Sequence, residues 1–405
     1  MNTPRVSVIL VNYNGARHLA ECLASLNALD WPAAALDVIL VDNASTDDSL
    51  AVARALRSDI QVLPQAANLG FAPACNLGAR AASGEYLAFL NNDLRVDPGW
   101  LRAMTAPFVG APADLACVAS VIRSWDGRLV DFVGGALNAY GRAFQVDQGL
   151  PYDPDRYAAP RELLFACGGA MLARREVYLE TGGFDDDFIA YFEDVDFGWR
   201  LWLQGYRVVL APAAQAFHRL HATGARLGAE RRFAISELNA LRMLVKNAAD
   251  EHVYRLLSVS LLLGAKRAEL HGQLRRDDYA FPGPLDARPA ATTEVSRLAL
   301  AYVMAQSRLA DELPEWLAKR ARIQARRRRS DQELFTRFPL ALANPLFPWR
   351  RHAVLHEQAL HAVNFSPMPP PHPPPHLLIL SHETIGPKMA GPGVRNLEVA
   401  RALAA

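Results

Sequence analysis

Residues 6–15 read VSVILVNYNG, and the way this stretch divides decides the fold. Val6 to Val11 has the length of a strand and is apolar enough to be buried on both faces, as strands of a parallel sheet are. Asn12-Tyr13-Asn14-Gly15 then switches to polar, turn-forming residues. The division recurs downstream. Val38 to Val41 runs into Asp42-Asn43-Ala44-Ser45, Ile60 to Leu63 is followed by Asn68-Leu69-Gly70, and Tyr86 to Leu90 by Asn91-Asn92-Asp93. Helices fit between these strands. Leu19, Cys22, Leu23, Leu26 and Leu29 form a helical stripe, Ser45-Thr46-Asp47-Asp48 offers a cap and first-turn acids, and Asp97-Pro98 opens a further helix. The alternation predicts an α/β fold with a mostly parallel sheet covered by helices.

Farther along, residues 115–172 predict strands near Val118 to Ile122, Leu129 to Val133 and Leu163 to Leu172. A helix from Glu193 to Leu203, closed by Gly205, precedes a strand from Tyr206 to Leu210, and the first domain is expected to span 1–228. Residues 229–366 read as a helical appendage with a loop at Phe281-Pro282-Gly283-Pro284, expected to serve acceptor or partner binding and not donor chemistry. Arg326-Arg327-Arg328-Arg329 within it reads as a solvated helix face. Residues 367–376 are a Pro-rich extended linker. The last segment, 377–405, offers one strand and one helix, too little for a core, so it predicts either docking on the rest or a second α/β domain cut short.

Composition narrows the classes of function. With 43 Lys+Arg against 42 Asp+Glu among 405 residues, no global basic field favours nucleic acid. No apolar stretch reaches the ~20 residues of a spanning helix, and the N-terminus lacks the pattern of a secretory leader, so a cytoplasmic chain is expected. Cys22, Cys75, Cys117 and Cys167 are scattered and read as small buried apolar residues.

In open α/β sheets, ligands bind beyond the carboxyl ends of strands, so the four polar clusters would face one crevice. Each alone is an ordinary turn. Together they offer an aromatic for stacking on a base, an acid to read its edge and another acid to hold a cation, which suits a nucleotide diphosphate. Neither GxGxxG after the first strand nor GxxxxGK[ST] occurs, against dinucleotide and P-loop alternatives.

The segments VSVILVNYNG (6–15), VILVDNASTD (38–47), NLGF (68–71), YLAFLNND (86–93), CGGAMLA (167–173) with Arg174, GGFD (182–185) and EDVDFGWR (193–200) resemble glycosyltransferase family 2 over residues 6–225. The resemblance implies the GT-A fold and inverting, metal-assisted transfer of a sugar, such as rhamnose or another hexose, from a nucleotide-diphosphate donor to a hydroxyl of a growing cell-surface or lipid-linked glycan. Peripheral association with the inner face of the cell membrane goes with it. Tyr13 would stack on the pyrimidine, Asp42 or Asn43 would read its edge, Asn76 would line that pocket and Asn92 would lie near the ribose. Asn91-Asn92-Asp93 takes the place of the family's DXD motif. Asp93 is then a ligand of Mg²⁺ or Mn²⁺, with His218 of FHRLHAT completing the shell ahead of His221. Asp194 would be the catalytic base, with Gly168, Gly169, Asp185 and Glu193 on the acceptor side. The tail LLILSHETIGPKMAGPGVRNLEVARAL (377–403) resembles the opening of a family 4 GT-B glycosyltransferase. Two competing readings are a nucleotidyl- or phosphotransferase and a non-catalytic glycan-binding scaffold, the latter resting on Asn91 alone.

Overall fold

A computed structural model describes residues 3–219, 228–272, 295–341 and 360–361. His221, the loop at 281–284, the Pro-rich linker and the 377–405 tail lie outside the described residues.

The strands are β1 (Val6–Asn12), β2 (Leu36–Asp42), β3 (Gln61–Pro64), β4 (Tyr86–Asn91), β5 (Leu94–Val96), β6 (Leu115–Ser124), β7 (Val130–Phe132), β8 (Gly135–Leu137), β9 (Ala143–Gln145), β10 (Arg161–Glu162), β11 (Ala170–Arg174) and β12 (Arg207–His218). Within and after the sheet come α1 (Ala16–Asn27), α2 (Ser49–Leu56), α3 (Phe71–Ala81), α4 (Trp100–Thr105), α5 (Arg175–Glu180), α6 (Glu193–Leu203), α7 (Ala229–Asn247), α8 (Asp250–Gly272), α9 (Arg297–Ala325) and α10 (Asp331–Arg337).

The main sheet runs β10-β12-β6-β11-β4-β1-β2-β3, with β5 and β7 added on β12 and β6, and β8 pairs β9 apart from it. β1 is parallel to both β2 and β4, so the chain order reverses beside β1. That reversal opens a crevice at the carboxyl ends of β1 and β4. β11 is antiparallel to β4 and β6, which brings Gly168 and Gly169, just before it, to the same edge. β12 is parallel to β6 and delivers His218 there as well.

Burial follows the apolar pattern in β1, β2 and β4, and α1 buries Leu19, Cys22, Leu23 and Leu26. Five expectations change. β3 is the outermost strand and is part exposed, with no strand on its far edge among the described residues. The 163–172 run is a strand only from Ala170, and the strand expected to end at Leu210 continues to His218. The cap near residue 97 falls on Gly99, with Asp97 contributing its carbonyl to the Trp100 N–H at 2.9 Å. Near residue 45, α2 begins only at Ser49, with Asp47 accepting from the Ser49 N–H at 3.1 Å.

The helices beyond 228 pack directly on the sheet domain. Trp316 meets Phe188, Trp199 meets Phe335 and Trp202 meets Phe338, each edge to face. The arginine run is a solvated face only in part: Arg326 and Arg328 are exposed, whereas Arg327 and Arg329 are half-buried. Arg329 donates to the carbonyls of Tyr206 at 2.6 Å and Gly205 at 2.9 Å, closing the carboxyl end of α6, while Arg327 bonds the Asn247 carbonyl and pairs with Asp331 at 2.8 Å.

Candidate functional site

The edge of the sheet gathers three groups of polar side chains. The first runs across β2, β1 and β4. Asn92 donates to Asn12 Oδ1 at 2.7 Å, and Asn12 donates to Asp42 at 3.0 Å, with Ser45 Oγ on the same carboxylate at 2.6 Å. Asn12, which the sequence reading placed in a cluster without assigning it a role, is the link between them. Gly15 is required by this packing, since a Cβ there would lie 2.2 Å from Asn92 Nδ2. Tyr13, 43% exposed, stands at the mouth.

Asn43 and Asn76 are spent on the protein itself. The Asn43 amide donates to the Gly70 carbonyl at 2.9 Å. Asn76 donates to the Phe184 carbonyl at 2.6 Å and Asp186 at 2.7 Å and accepts from Tyr178 at 2.6 Å and the Phe184 N–H at 3.1 Å. That uses the full capacity of a side-chain amide, so Asn76 pins the 184–186 turn to α3 and has nothing left for a nucleotide. Gly183, with φ of +62°, backs onto Asn76 as part of the same pin.

The second group centres on His218. Its Nε2 lies 3.5 Å from Asp93 and its Nδ1 donates to Asp131 at 2.7 Å. Burial disfavours the imidazolium, but the hydrogen bonds and charges of Asp131 and Asp93 outweigh it and raise the pKa to about 10. Asp131 was missed in the sequence, where its only signal is an acid inside the apolar run Leu129 to Val133.

A divalent cation fits this group where it takes the place of the proton between Nε2 and Asp93, since a ligating imidazole nitrogen must be unprotonated. Nε2 and the Asp93 carboxylate converge, and Asp131 fixes the ring from its other nitrogen, as carboxylates do for metal-bound histidines. Among the described residues no group of three or more His, Cys, Asp or Glu could hold a metal ion, so the side chains would supply at most Asp93 and His218 and the diphosphate oxygens the rest.

The third group opens α6. Asp194 accepts from the Gly168 N–H at 2.9 Å and from the Val195 N–H at 2.8 Å. A Cβ on Gly168 would lie 3.3 Å from that of Asp194, a tight approach that glycine relieves. Burial raises the Asp194 pKa above the ordinary aspartate value even though both amides favour the carboxylate. Glu193 is pushed up well above its ordinary value by burial and by the charges of Asp194 and Asp196. Its Oε2 has no hydrogen-bond partner among the described residues.

Two acids nearby are structural. Asp196 is fully buried and accepts from Arg200 at 2.8 Å, Lys246 at 2.9 Å and Asn247 at 2.9 Å. Asp185, expected on the acceptor side, is paired with Lys246 at 2.6 Å and with Lys319, which hold its carboxyl well below the usual range against the opposing effect of burial. It anchors the turn before α6. Gly169 packs behind Asn91, whose Nδ2 would be 3.2 Å from a Cβ there.

Residues 7–182 match the model of glycosyl transferase family 2, and residues 147–263 match that of glycosyl transferase family group 2, which continues from the sheet into α7 and α8. The chain is 29% identical over 250 residues to the N-acetylglucosaminyl-diphospho-decaprenol L-rhamnosyltransferase of Mycobacterium tuberculosis, covering 55% of this chain and 78% of that protein. It is 33% identical over 148 residues to the O-antigen biosynthesis protein RfbC of Myxococcus xanthus, covering 35% of this chain and 12% of the relative. Among solved structures, GalNAc-T7 with UDP, GalNAc and Mn²⁺ superposes with a TM-score of 0.52 at 16% identity, over 85% of this chain and 60% of the other.

Proposed function

The chain carries a glycosyl transferase family 2 domain of GT-A fold, and on that premise we propose that it is an inverting, metal-dependent hexosyl- or rhamnosyltransferase. The donor is a nucleotide-diphosphate sugar, and the acceptor is a hydroxyl of a cell-surface or lipid-linked glycan at the inner face of the membrane. The name of the mycobacterial relative, which describes a lipid-diphosphate acceptor and a rhamnosyl group, supports this class.

The observation that carries the reading is the Glu193–Asp194 pair. Burial raises both carboxyls, and Asp194, seated on the Gly168 and Val195 amides at the sheet edge, is the one placed to receive the acceptor's proton. In the reaction the acceptor oxygen attacks the anomeric carbon, the bond from that carbon to the diphosphate oxygen breaks, and Asp194 takes the hydroxyl proton. Tyr13 and Asp42 bind the base, Asn12 and Asn92 line the ribose, and Asp93 with His218 faces the diphosphate. Mg²⁺ or Mn²⁺ held by Asp93 and His218 would neutralise charge on the departing diphosphate. One displacement with one base leaves no covalent glycosyl intermediate, so configuration inverts.

Thermal stabilisation by a panel of nucleotide sugars with Mn²⁺ identifies the donor, because a ligand that binds the native state raises its apparent stability. The anomeric configuration of the product then tests the chemistry. A retained configuration would overturn the single displacement, and no stabilisation by any nucleotide sugar would overturn the donor class.

A further inference from the structure

Asn239, Arg242 and Lys246 lie on one face of α7 at i, i+3 and i+7, all buried. Each of them holds a group in residues 185–196. Asn239 Nδ2 lies 2.9, 3.0 and 2.8 Å from the carbonyl oxygens of Phe188, Ala190 and Tyr191. Arg242 donates to the Asp187 carbonyl at 2.9 Å and to Asn239 Oδ1 at 3.1 Å, and is itself held by Glu312 at 3.0 Å. Lys246 joins Asp185 to Asp196.

The segment they grip is in an uncommon conformation. Ile189, Tyr191 and Phe192 have φ of +61°, +67° and +71°, a region that bulky L residues rarely enter and keep only where their surroundings over-determine it. Phe192 is the residue that caps α6, so the direction in which Glu193 and Asp194 leave the turn depends on it. On the opposite side the Ile189 carbonyl accepts from the N–H groups of Phe71 at 2.7 Å and Ala72 at 3.0 Å. Asn239 supplies the matching hold from α7.

We propose that Asn239 is a positioning residue for transfer: it fixes the left-handed 189–192 turn and so keeps Asp194 on the Gly168 amide, where the acceptor hydroxyl must arrive. The proposal rests on the reading of Asp194 as the base. A purely structural asparagine would lower stability throughout the domain, whereas a positioning residue changes the Asp194 end of α6 while the nucleotide end stays as it was.

The test uses the full chain with Asn239→Asp and Asn239→Leu. The first keeps the shape, loses both N–H groups and places its charge beside Arg242, and the second removes all polarity. Should either fail to fold, Asn239→Gln retains the donors but displaces them. Hydrogen exchange is followed at the Gly168 amide, whose acceptor is Asp194, and at amides 190–193. Donor affinity with Mn²⁺, kcat and KM for the acceptor are measured alongside.

Folded variants should exchange about tenfold faster at Gly168 and in the turn, with β1 and β4 unchanged. Their kcat should fall about 10²-fold, as a misplacement on the order of 1 Å can cause, with donor affinity held within about twofold. Unchanged protection of Gly168 in a folded variant would overturn the proposal, as would equal loss of protection across the whole sheet or an unaltered kcat. If the wild-type chain moves no sugar from any donor, the functional reading fails, and the Gly168 exchange still decides whether Asn239 holds the turn.

Discussion

Glu193 and Asp194 are neighbours in the chain, and in the proposed reaction the proton goes to Asp194, which sits on the Gly168 and Val195 amides. Asp194→Asn keeps the shape but cannot take a proton, so turnover should fall ~10² to 10⁴-fold with donor affinity retained. Steady-state kinetics beside donor binding checks this, and near wild-type turnover would misassign the base. Because Asp194 must be ionised to work and its pKa is raised by burial, kcat/KM should climb with pH through an apparent value above the ordinary aspartate range of ~3.9. The pH profile of Asp194→Asn should lack that limb. At the histidine, Asp131→Asn should weaken Mn²⁺ in donor binding by ~10 to 100-fold, the usual effect of losing an outer partner. Titration of donor binding with Mn²⁺ reads it directly, and unchanged Mn²⁺ dependence would deny Asp131 a part in orienting His218. Asp93 and His218 were legible because each sits in a recognisable segment. Asp131 was not, since the contact that gives it meaning spans 87 positions.

Single elements were readable where their partners are local. The buried faces of β1, β2 and α1 follow from periodicity alone, whereas the exposure of β3 depends on its being last in the sheet, which no window of sequence states. The same limit hid the arginine run. A cluster of cations reads as solvated until the carbonyls of Tyr206, Gly205 and Asn247 are seen beneath it. Arg329→Ala should therefore lower unfolding free energy by about 1–3 kcal/mol, the cost of leaving partly buried acceptors unmatched. Denaturant titration measures it, and a change below about 0.5 kcal/mol would return the residue to the solvated surface.

Across the molecule, the expected division near residue 228 falls where an element ends but not where contacts end. Asp196 is fully buried between Arg200, Lys246 and Asn247, two of which lie beyond that point. Breaking a buried pair typically costs 3–5 kcal/mol against a total stability of about 5–15, so a chain ending at 228 should not unfold cooperatively or bind nucleotide sugar. Calorimetry of that truncation checks it, and a stable, donor-binding remnant would show that the helices are dispensable. Asp185 and Asp331 are both held below the ordinary aspartate value despite burial, the first by Lys246 and Lys319, the second by His252 and Arg327. Their stabilisation is complete above pH ~4 and is lost as pH falls through their depressed native values, so acid should lower the melting temperature and do so less in Lys319→Met. The long reach of these contacts also has a consequence in time. Arg329 enters the chain 123 residues after Tyr206. At ribosomal rates of ~5–20 residues per second, the sheet waits roughly 6–25 s for the cation that closes α6. During that interval the carbonyls of Gly205 and Tyr206 lack the side chain that will cover them, and Asp185 has Lys246 but not yet Lys319, so the end of α6 is expected to settle only after the last helices have been made.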